Sequence, residues 1–208
     1  MTLKNNFINH AWLSVSGLII LATGISMVKT ADLGFAPFDT FISVVMEYFN
    51  FNSFGDVVFW VQMIIFIFLL LNKKRFGITI TEYLTSLIAI TLLSEAIIYA
   101  SDILLTLNIE PNISYFVGGI LISLGLYFVT RSNKIVAPLD KLLVSISTIT
   151  NKPYSSIKLT MDISLTSISI IFIIIFGLNV PITLYSLFIT VVIGYIIKFF
   201  EKVINIQI

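Results

Sequence analysis

Long apolar runs separated by short polar stretches make up most of the chain. Ala11–Val28 and Val180–Ile197 each continue for 18 residues without a charged side chain. At about 1.5 Å per residue, such a run covers most of a hydrocarbon core about 30 Å thick. The pattern predicts six membrane-crossing helices: Ala11–Val28, Phe54–Leu71, Gly77–Leu93, Ile113–Val129, Leu159–Phe176 and Val180–Ile197. We expect the first to be retained and not cleaved as a signal peptide, because it is full length and leads into further apolar sequence.

Two shorter apolar segments differ from these runs. Pro37–Phe49 and Pro138–Thr150 have 13 residues each, so as helices they would be only about 20 Å long. That length is too short for a comfortable membrane crossing. Each segment begins with Ala-Pro-x-Asp. We therefore expect two re-entrant half-helices that enter the membrane and return on the same side.

The two halves of the chain are related by an internal repeat. Gly17–Asn50 aligns without a gap onto Gly118–Asn151, at an offset of 101, and eight of 34 positions are identical. The identical pairs are Gly17 with Gly118, Ile19 with Ile120, Gly24 with Gly125, Val28 with Val129, Ala36 with Ala137, Pro37 with Pro138, Asp39 with Asp140 and Asn50 with Asn151. Transporter folds carry such weak self-similarity, so we expect a first membrane repeat over residues 1–112 and a second over residues 113–208. Small residues let membrane helices approach closely, which is the role expected of Gly17, Gly24, Gly118, Gly119 and Gly125.

The basic residues predict how the chain is oriented. With six crossings, two re-entrant half-helices and cytoplasmic termini, eleven basic residues lie on the inner side and only Lys29 lies outside. The inner set is Lys4, Lys73, Lys74, Arg75, Arg131, Lys134, Lys141, Lys152, Lys158, Lys198 and Lys202. With eight crossings the same residues divide five against seven, a distribution that the cytoplasmic preference of basic residues does not favour. Three crossings per repeat reverse the second unit, so we expect the repeats to be inverted.

Composition agrees with the membrane class and excludes several others. The 208 residues are 58% hydrophobic and 11% charged, with a mean hydropathy of +1.05, which is far more apolar than a soluble domain. The net charge of +1 gives no reason to expect a nucleic-acid partner, and without cysteine there can be no disulfide or thiolate metal ligand. The sequence has no zinc-type His/Cys cluster, no phosphate-binding Gly-Lys loop and no Gly-x-Ser-x-Gly turn. We therefore expect neither an enzyme nor a bound cofactor or metal.

The paired Pro and Asp residues are the best candidates for a substrate-binding site. Pro37 and Pro138 suit a first helical turn, where the missing N–H costs nothing. Asp39 and Asp140 follow two residues later, where a carboxylate can interact with free backbone N–H groups and with the positive end of the helix. Two interpretations stay open: the carboxylates only cap their helices, or the four residues form a pseudo-symmetric site between the repeats.

Other polar residues in the apolar runs have less specific interpretations. Glu82 and Asp162 are candidate proton carriers, because a carboxylate that is partly desolvated at membrane depth is more readily protonated. Alternatively, both simply reach water at a helix end. Lys158 lies four residues before Asp162 and would keep it charged, which makes Glu82 the better candidate. Gln62 is expected to hydrogen-bond across a helix interface, and Glu95 to be exposed just past the end of its helix.

One segment resembles a known family. Asp32-Leu-Gly-Phe-Ala-Pro-Phe-Asp39, after a glycine-bearing first span, resembles the Gly-x-x-Pro-Trp-Asp signature of the YczE/YyaS/YitT-type bacterial membrane proteins. Phe76-Gly-Ile-Thr-Ile-Thr81 is similar to their Gly- and Thr-rich approach to the next span. Phe38 stands where that family usually has Trp, and Ile78-Thr79 replaces a more glycine-rich stretch. The resemblance implies a small polytopic protein of the bacterial cytoplasmic membrane, often described as a transporter.

Together these patterns predict an all-α polytopic membrane protein with six transmembrane helices, two re-entrant half-helices and inverted repeats. The favoured function is a secondary transporter or permease for a small solute. Its partners would be the lipid bilayer and that solute. The sequence also allows the chain to form a homo-oligomer. Two rivals stay open: a substrate-binding membrane subunit of an energy-coupled importer, and a non-transporting scaffold or lipid-handling protein.

Overall fold

The structure, a computed structural model, describes residues 2–132, 134–180 and 183–203. Every regular element in these residues is an α-helix. The helices are α1 (Thr2–Ala31), α2 (Pro37–Phe49), α3 (Phe54–Leu71), α4 (Lys73–Phe76), α5 (Ile80–Leu107), α6 (Pro111–Ser132), α7 (Pro138–Thr150), α8 (Tyr154–Phe176) and α9 (Leu184–Val203). The predicted all-helical class is confirmed for this part of the chain.

Five of the described helices are long and apolar enough to cross a bilayer. They are the Ala11–Ala31 part of α1 and the whole of α3, α5, α6 and α8. A shorter apolar stretch, Leu184–Phe200, lies in α9. The outer surface carries many exposed apolar side chains, such as Leu71 and Ile174, which lipid can cover and water cannot favourably solvate. The chain is a multi-pass membrane protein.

Some helix ends agree with the sequence predictions to the residue, and others do not. α2, α3 and α7 have the predicted bounds. The prediction of a helix over Gly77–Leu93 is wrong at both ends, because α5 begins three residues later and continues 14 residues further. A capping box between Thr79 and Glu82 fixes its start, and Asn108 in the left-handed conformation ends it. Glu95 is exposed as predicted but lies within α5 and not past its end.

The remaining predicted spans identify the correct helices but do not predict both of their ends. Ala11–Val28, Ile113–Val129 and Leu159–Phe176 lie inside α1, α6 and α8. Val180–Ile197 begins too early, because α9 starts at Leu184; positions 181 and 182 lie outside the described residues. Apolar runs mark the centre of a membrane helix, but polar residues continue the helix beyond them.

α1 and α6 form the centre of the bundle and run antiparallel. Near the start of α1, the Ser14 hydroxyl hydrogen-bonds to the Ser132 hydroxyl at the end of α6. At the opposite end of the pair, the Ser114 hydroxyl donates to the Met27 carbonyl oxygen at 2.9 Å. The C-terminal ends of α1 and α6 therefore lie on opposite sides of the bundle.

Repeat-related glycines allow this central pair to pack backbone against backbone. A Cβ atom on Gly24 would lie 2.6 Å from the backbone nitrogen of Ile122, and one on Gly125 would lie 2.6 Å from the backbone nitrogen of Leu21. Both distances are far below van der Waals contact, and backbone atoms cannot move aside as a side chain can. The predicted close-packing role of these two glycines is confirmed.

The other helices surround the central pair in matching positions. α5 packs against α1 and α9 packs against α6, while α3 packs against α5 and α8 against α9. The short helices cross to the opposite half, because α2 packs on α8 and α7 packs on α3. Each short helix is thus held by a long helix from the other repeat.

Candidate functional site

The two short helices have nearly the same local geometry. Ala36 precedes α2 with φ −63° and ψ 155°, and Ala137 precedes α7 with φ −61° and ψ 147°. Both helices begin with proline and end at an asparagine in the left-handed conformation, Asn50 and Asn151. The extended alanine fits the restriction that a following proline imposes. Local sequence alone therefore starts and stops both helices at equivalent places.

Hydrogen bonds to other helices fix the segments that lead into the short helices. The backbone N–H of Phe35 donates to the Ser186 hydroxyl oxygen of α9 at 3.1 Å. In the other half, the backbone N–H of Ile135 donates to the Ser14 hydroxyl oxygen of α1 at 3.0 Å. These bonds satisfy irregular backbone inside the bundle, where water is not available to do so.

The first turns of both short helices meet at one small space lined mostly by buried residues, which we call the central cavity. Its volume is about 50 Å³. Four repeat-related pairs line it: Leu21 with Ile122, Ile25 with Leu126, Phe38 with Leu139, and Asp39 with Asp140. Leu21 and Ile122 lie near the middle of the candidate spans of α1 and α6. The central cavity is therefore at about half the depth of the long helices, and α2 and α7 begin there.

Asp39 and Asp140 are both buried against this cavity, at 4% and 5% exposure, but their partners differ. The Tyr154 hydroxyl donates to Asp140 Oδ1 at 3.1 Å. Within the described residues, the Asp39 carboxylate has no hydrogen-bond partner and no ammonium group within 4 Å. Neither carboxylate accepts a bond from a backbone N–H there, so the interpretation of both as simple helix caps finds no support in the structure.

α8 adds a buried ion pair beside the two carboxylates. The Lys158 ammonium group binds Asp162 Oδ1 one helical turn away, and both side chains are almost wholly buried. Lys158 also lines the central cavity and interacts electrostatically with Asp39 and Asp140. The predicted pairing with Asp162 is confirmed. The sequence predicts Lys158 just before its span, on the inner side; in the structure the side chain is buried, because α8 begins earlier, at Tyr154, and carries it into the bundle.

Gln62 makes the interhelical contact that was predicted for it. Its side-chain oxygen accepts the backbone N–H of Leu139, in the first turn of α7, at 3.0 Å. Because α7 begins with proline inside the bundle, this N–H would otherwise be an unpaired buried donor. Gln62 lines the central cavity as well, a position that its sequence context did not reveal.

The later helices of the two repeats correspond at an offset of 100, one residue fewer than the earlier helices. Five buried positions of α5 match buried positions of α9: Ser86 with Ser186, Ala89 with Ile189, Ile90 with Thr190, Leu93 with Ile193 and Ile97 with Ile197. At the same offset, Lys158 is equivalent to Val58 and Asp162 is equivalent to Gln62. An apolar side chain and an amide in the first half are thus replaced by an ion pair in the second. Besides the two repeat-related aspartates, the site therefore has one ion pair, and it lies on α8.

A second ion pair joins α5 to α7. The Lys141 ammonium group binds Glu82 Oε1, while Glu82 Oε2 accepts the backbone N–H of Thr79 at 2.8 Å. Lys141 is buried, and the Glu82 side chain is partly exposed. Lys141, like Lys158, is therefore buried in the bundle, and its predicted position on the inner side stays a prediction. Glu82 is held by a lysine just as Asp162 is, which removes the difference that had favoured Glu82 as a proton carrier.

Two surface depressions, which we call vestibules, are related by the repeat. The first has a volume of about 470 Å³ and the second about 230 Å³. Four equivalent pairs line them: Lys29 with Thr130, Ser43 with Val144, Met46 with Ser147, and Glu47 with Thr148. Because α1 and α6 are antiparallel, Lys29 and Thr130 near their C-terminal ends place the vestibules at opposite ends of the bundle.

Each vestibule has a polar residue that connects it to the aspartate of its own half. Lys29 lines the first vestibule and interacts electrostatically with Asp39. Tyr154 lines the second and donates its hydroxyl to Asp140. The arrangement is a small, largely buried site between two larger openings, with one short helix leading from the site to each opening.

Residues 8–202 match the sequence model of a family described as a family of unknown function (DUF6198), and the chain belongs to this family. No curated protein and no solved structure matches the chain. The narrower resemblance to the YczE/YyaS/YitT-type proteins stays a prediction that this match does not test.

Proposed function

We propose that this DUF6198 family member is a secondary transporter or permease for a small solute in the bacterial cytoplasmic membrane. In this proposal the chain has six crossings, two re-entrant half-helices, inverted repeats over residues 1–112 and 113–208, and cytoplasmic termini. Pro37, Asp39, Pro138 and Asp140 shape the binding site. It has no catalytic activity and uses no cofactor or resident metal.

The main support is the position of the central cavity. Buried carboxylates are costly at membrane depth and usually face a partner or a water-filled space. Here Asp39 and Asp140, from two helices that begin halfway through the bundle, line the same cavity. Broken helices that meet at the midplane between repeats are the usual site architecture of secondary transporters.

The vestibules support the proposal independently of the cavity. A transporter must expose one site alternately to two sides of the membrane, and equivalent positions of the two repeats line openings at opposite ends of this bundle. The central cavity, at about 50 Å³, holds only one or two water molecules. We therefore interpret this conformation as closed on both sides, with solute binding requiring the short helices to move apart.

The distribution of basic residues supports the orientation even after correction. Lys141 and Lys158 are buried in the bundle. They are therefore left out when the exposed basic residues on each side are compared. Nine basic residues remain on the proposed inner side, against Lys29 on the outer side. The preference of basic residues for the cytoplasmic side therefore still favours six crossings.

The experiment is a solute screen on the purified protein, followed by uptake into proteoliposomes. A binding solute raises the melting temperature by mass action. Asp39→Asn and Asp140→Asn should each weaken binding of that solute about tenfold or more, since each removes a carboxyl group from the site. Asp102→Asn, at an exposed position of α5, is the matched control and should bind normally.

Other outcomes of this experiment would contradict the proposal in different ways. Lower stability with unchanged affinity in both variants would reduce Asp39 and Asp140 to structural residues. An ATPase that co-purifies and is required for uptake would favour the importer subunit. A stable protein that binds solute or lipid but never transports would favour the scaffold or lipid-handling role.

A further inference from the structure

Asp39 is the one buried carboxylate of the site without a partner in the described residues. It is 4% exposed and lines the central cavity, yet no donor reaches it. The charged groups that face it are Lys158 and Asp162 on α8 and Lys29 on α1, with Asp140 on the other side of the cavity. Its carboxylate faces the cavity, and an ionisable group at membrane depth that faces a cavity is by default a functional candidate.

The charges around the cavity do not balance. Among the described residues around the cavity there are three buried carboxylates, Asp39, Asp140 and Asp162, and one buried ammonium group, Lys158, which is bound to Asp162. Asp140 has the Tyr154 hydroxyl as a donor, whereas Asp39 has no hydrogen-bond donor and interacts with Lys158 and Lys29 only beyond 4 Å. An unpaired buried charge costs several kcal/mol even after the protein relaxes. The site therefore has an excess of negative charge, and Asp39, the carboxylate that no donor reaches, is the place where a positive charge would be accommodated.

The lining of the cavity selects among small cations. Metal cations of the Ca²⁺ and Mg²⁺ type bind through six or more oxygen ligands. The polar lining of the cavity in the described residues is Asp39, Gln62, Asp140 and Lys158. The Gln62 oxygen is already used by the Leu139 N–H, and Lys158 repels a second cation. A proton needs only one carboxylate oxygen and no additional volume.

We propose that Asp39 is the proton-binding residue of the central cavity, and that Asp140 keeps its charge because the Tyr154 hydroxyl donates to it. Glu82 and Asp162, the carriers expected from sequence, are each committed to a lysine. The use of this proton to drive solute movement rests on the proposed function. Binding of the proton does not, because it is a property of the resting protein and can be measured without any solute.

The experiment is a pH titration of the purified full-length protein in lipid nanodiscs, followed by infrared difference spectroscopy. The measured quantity is the carbonyl stretching band of a protonated carboxylic acid. The wild type should show one buried acid that loses its proton at high pH. Asp39→Asn should lose that band and bind one proton fewer per chain, while Asp140→Asn, the equivalent position of the other repeat, should keep it.

A second variant keeps the test decisive if Asp39→Asn does not fold. With ¹³C-labelled aspartate, the wild-type band carries the isotope shift, and in Asp39→Glu it should move to the unlabelled glutamate position. A band that survives in Asp39→Asn, stays labelled in Asp39→Glu, or is absent from the wild type would overturn the proposal.

Binding of sodium at Asp39 is the alternative to binding of a proton. Melting temperatures are compared in sodium chloride and choline chloride at equal ionic strength. The proposal expects no difference, and a saturable sodium-dependent rise that Asp39→Asn abolishes would show a metal cation in place of the proton. A wild type that binds the proton but moves no solute in proteoliposomes would contradict the transporter function and leave this proton site intact.

Discussion

Alanine at the two glycines of the central helix pair should destabilise the protein by an amount that follows from the contacts. A Cβ atom on Gly24 would meet the Ile122 nitrogen at 2.6 Å and the Gly118 carbonyl oxygen at 2.8 Å. A Cβ atom on Gly125 would meet equivalent backbone atoms of Leu21 and Gly17 at the same distances. Since the two nearest atoms at each position are backbone atoms, α1 and α6 must separate.

Two opposing terms set the size of the effect. Overpacking a well-packed interior costs about 1–3 kcal/mol, and replacing glycine by alanine inside a helix returns up to about 1 kcal/mol. We expect Gly24→Ala and Gly125→Ala each to lose about 1–2 kcal/mol on balance. The two losses should be similar, because the contacts are related by the repeat. Leu21 and Ile122 also line the central cavity, so the same variants should weaken solute binding.

The assay is thermal unfolding of the purified protein in one detergent, with alanine at two other helical glycines as controls. A Cβ atom on Gly119 would make only van der Waals contacts, the nearest at 3.4 Å, and one on Gly194 would have no atom within 4 Å. Gly119→Ala and Gly194→Ala should therefore be neutral or slightly stabilising. The reasoning would be refuted if Gly24→Ala and Gly125→Ala melted at or above the wild-type temperature, or if all four variants lost stability equally.

Three further substitutions test the polar contacts of the site, each by thermal unfolding. Lys158→Met leaves the buried carboxylates without a counter-charge and should lower the free energy of unfolding by about 3–5 kcal/mol. Adding Asp162→Asn should recover part of that loss. Equal stability of the single and double variants would contradict the ion pair. Gln62→Leu leaves a backbone N–H at the start of α7 unpaired, so a loss of about 1–3 kcal/mol is expected, and no loss would show that water replaces the amide. Tyr154→Phe should cost about 1.5–3 kcal/mol by removing the donor to Asp140, and the cost should be smaller in an Asp140→Asn background, where the hydroxyl can bond only a neutral amide oxygen.

The parts of the fold that depend on local chemistry could be predicted from the sequence. α2 and α7 have the predicted bounds because Pro37 and Pro138 can only begin a helix and a left-handed asparagine ends each one. The end of α5 was missed because Glu95 interrupts the apolar run, whereas one exposed carboxylate does not break a helix. Helix ends that rest on continued backbone hydrogen bonding leave little trace in hydropathy.

The candidate site could be predicted only in part, for a similar reason. The repeat placed Asp39 and Asp140 in equivalent positions, and the structure brings both to one cavity. Tyr154, Lys158 and Gln62 join them because α8 packs on α2 and α3 packs on α7, a crossing that no local pattern specifies. The four-residue spacing of Lys158 and Asp162 in an apolar helix was the available signal, since a lysine there has to be paired.

The most direct test of the central claim is the sidedness of the two vestibules. Met46 and Ser147 line them at equivalent positions, and the chain has no native cysteine. Single-cysteine variants Met46→Cys and Ser147→Cys, each with wild-type melting behaviour, are treated in intact cells with a membrane-impermeant maleimide. Lys74→Cys serves as the cytoplasmic control and should be labelled only after permeabilisation. If the repeats are inverted around the central cavity, position 46 is labelled from outside and position 147 only after permeabilisation, whereas labelling of both from the same face would contradict the inverted arrangement and the transport function built on it.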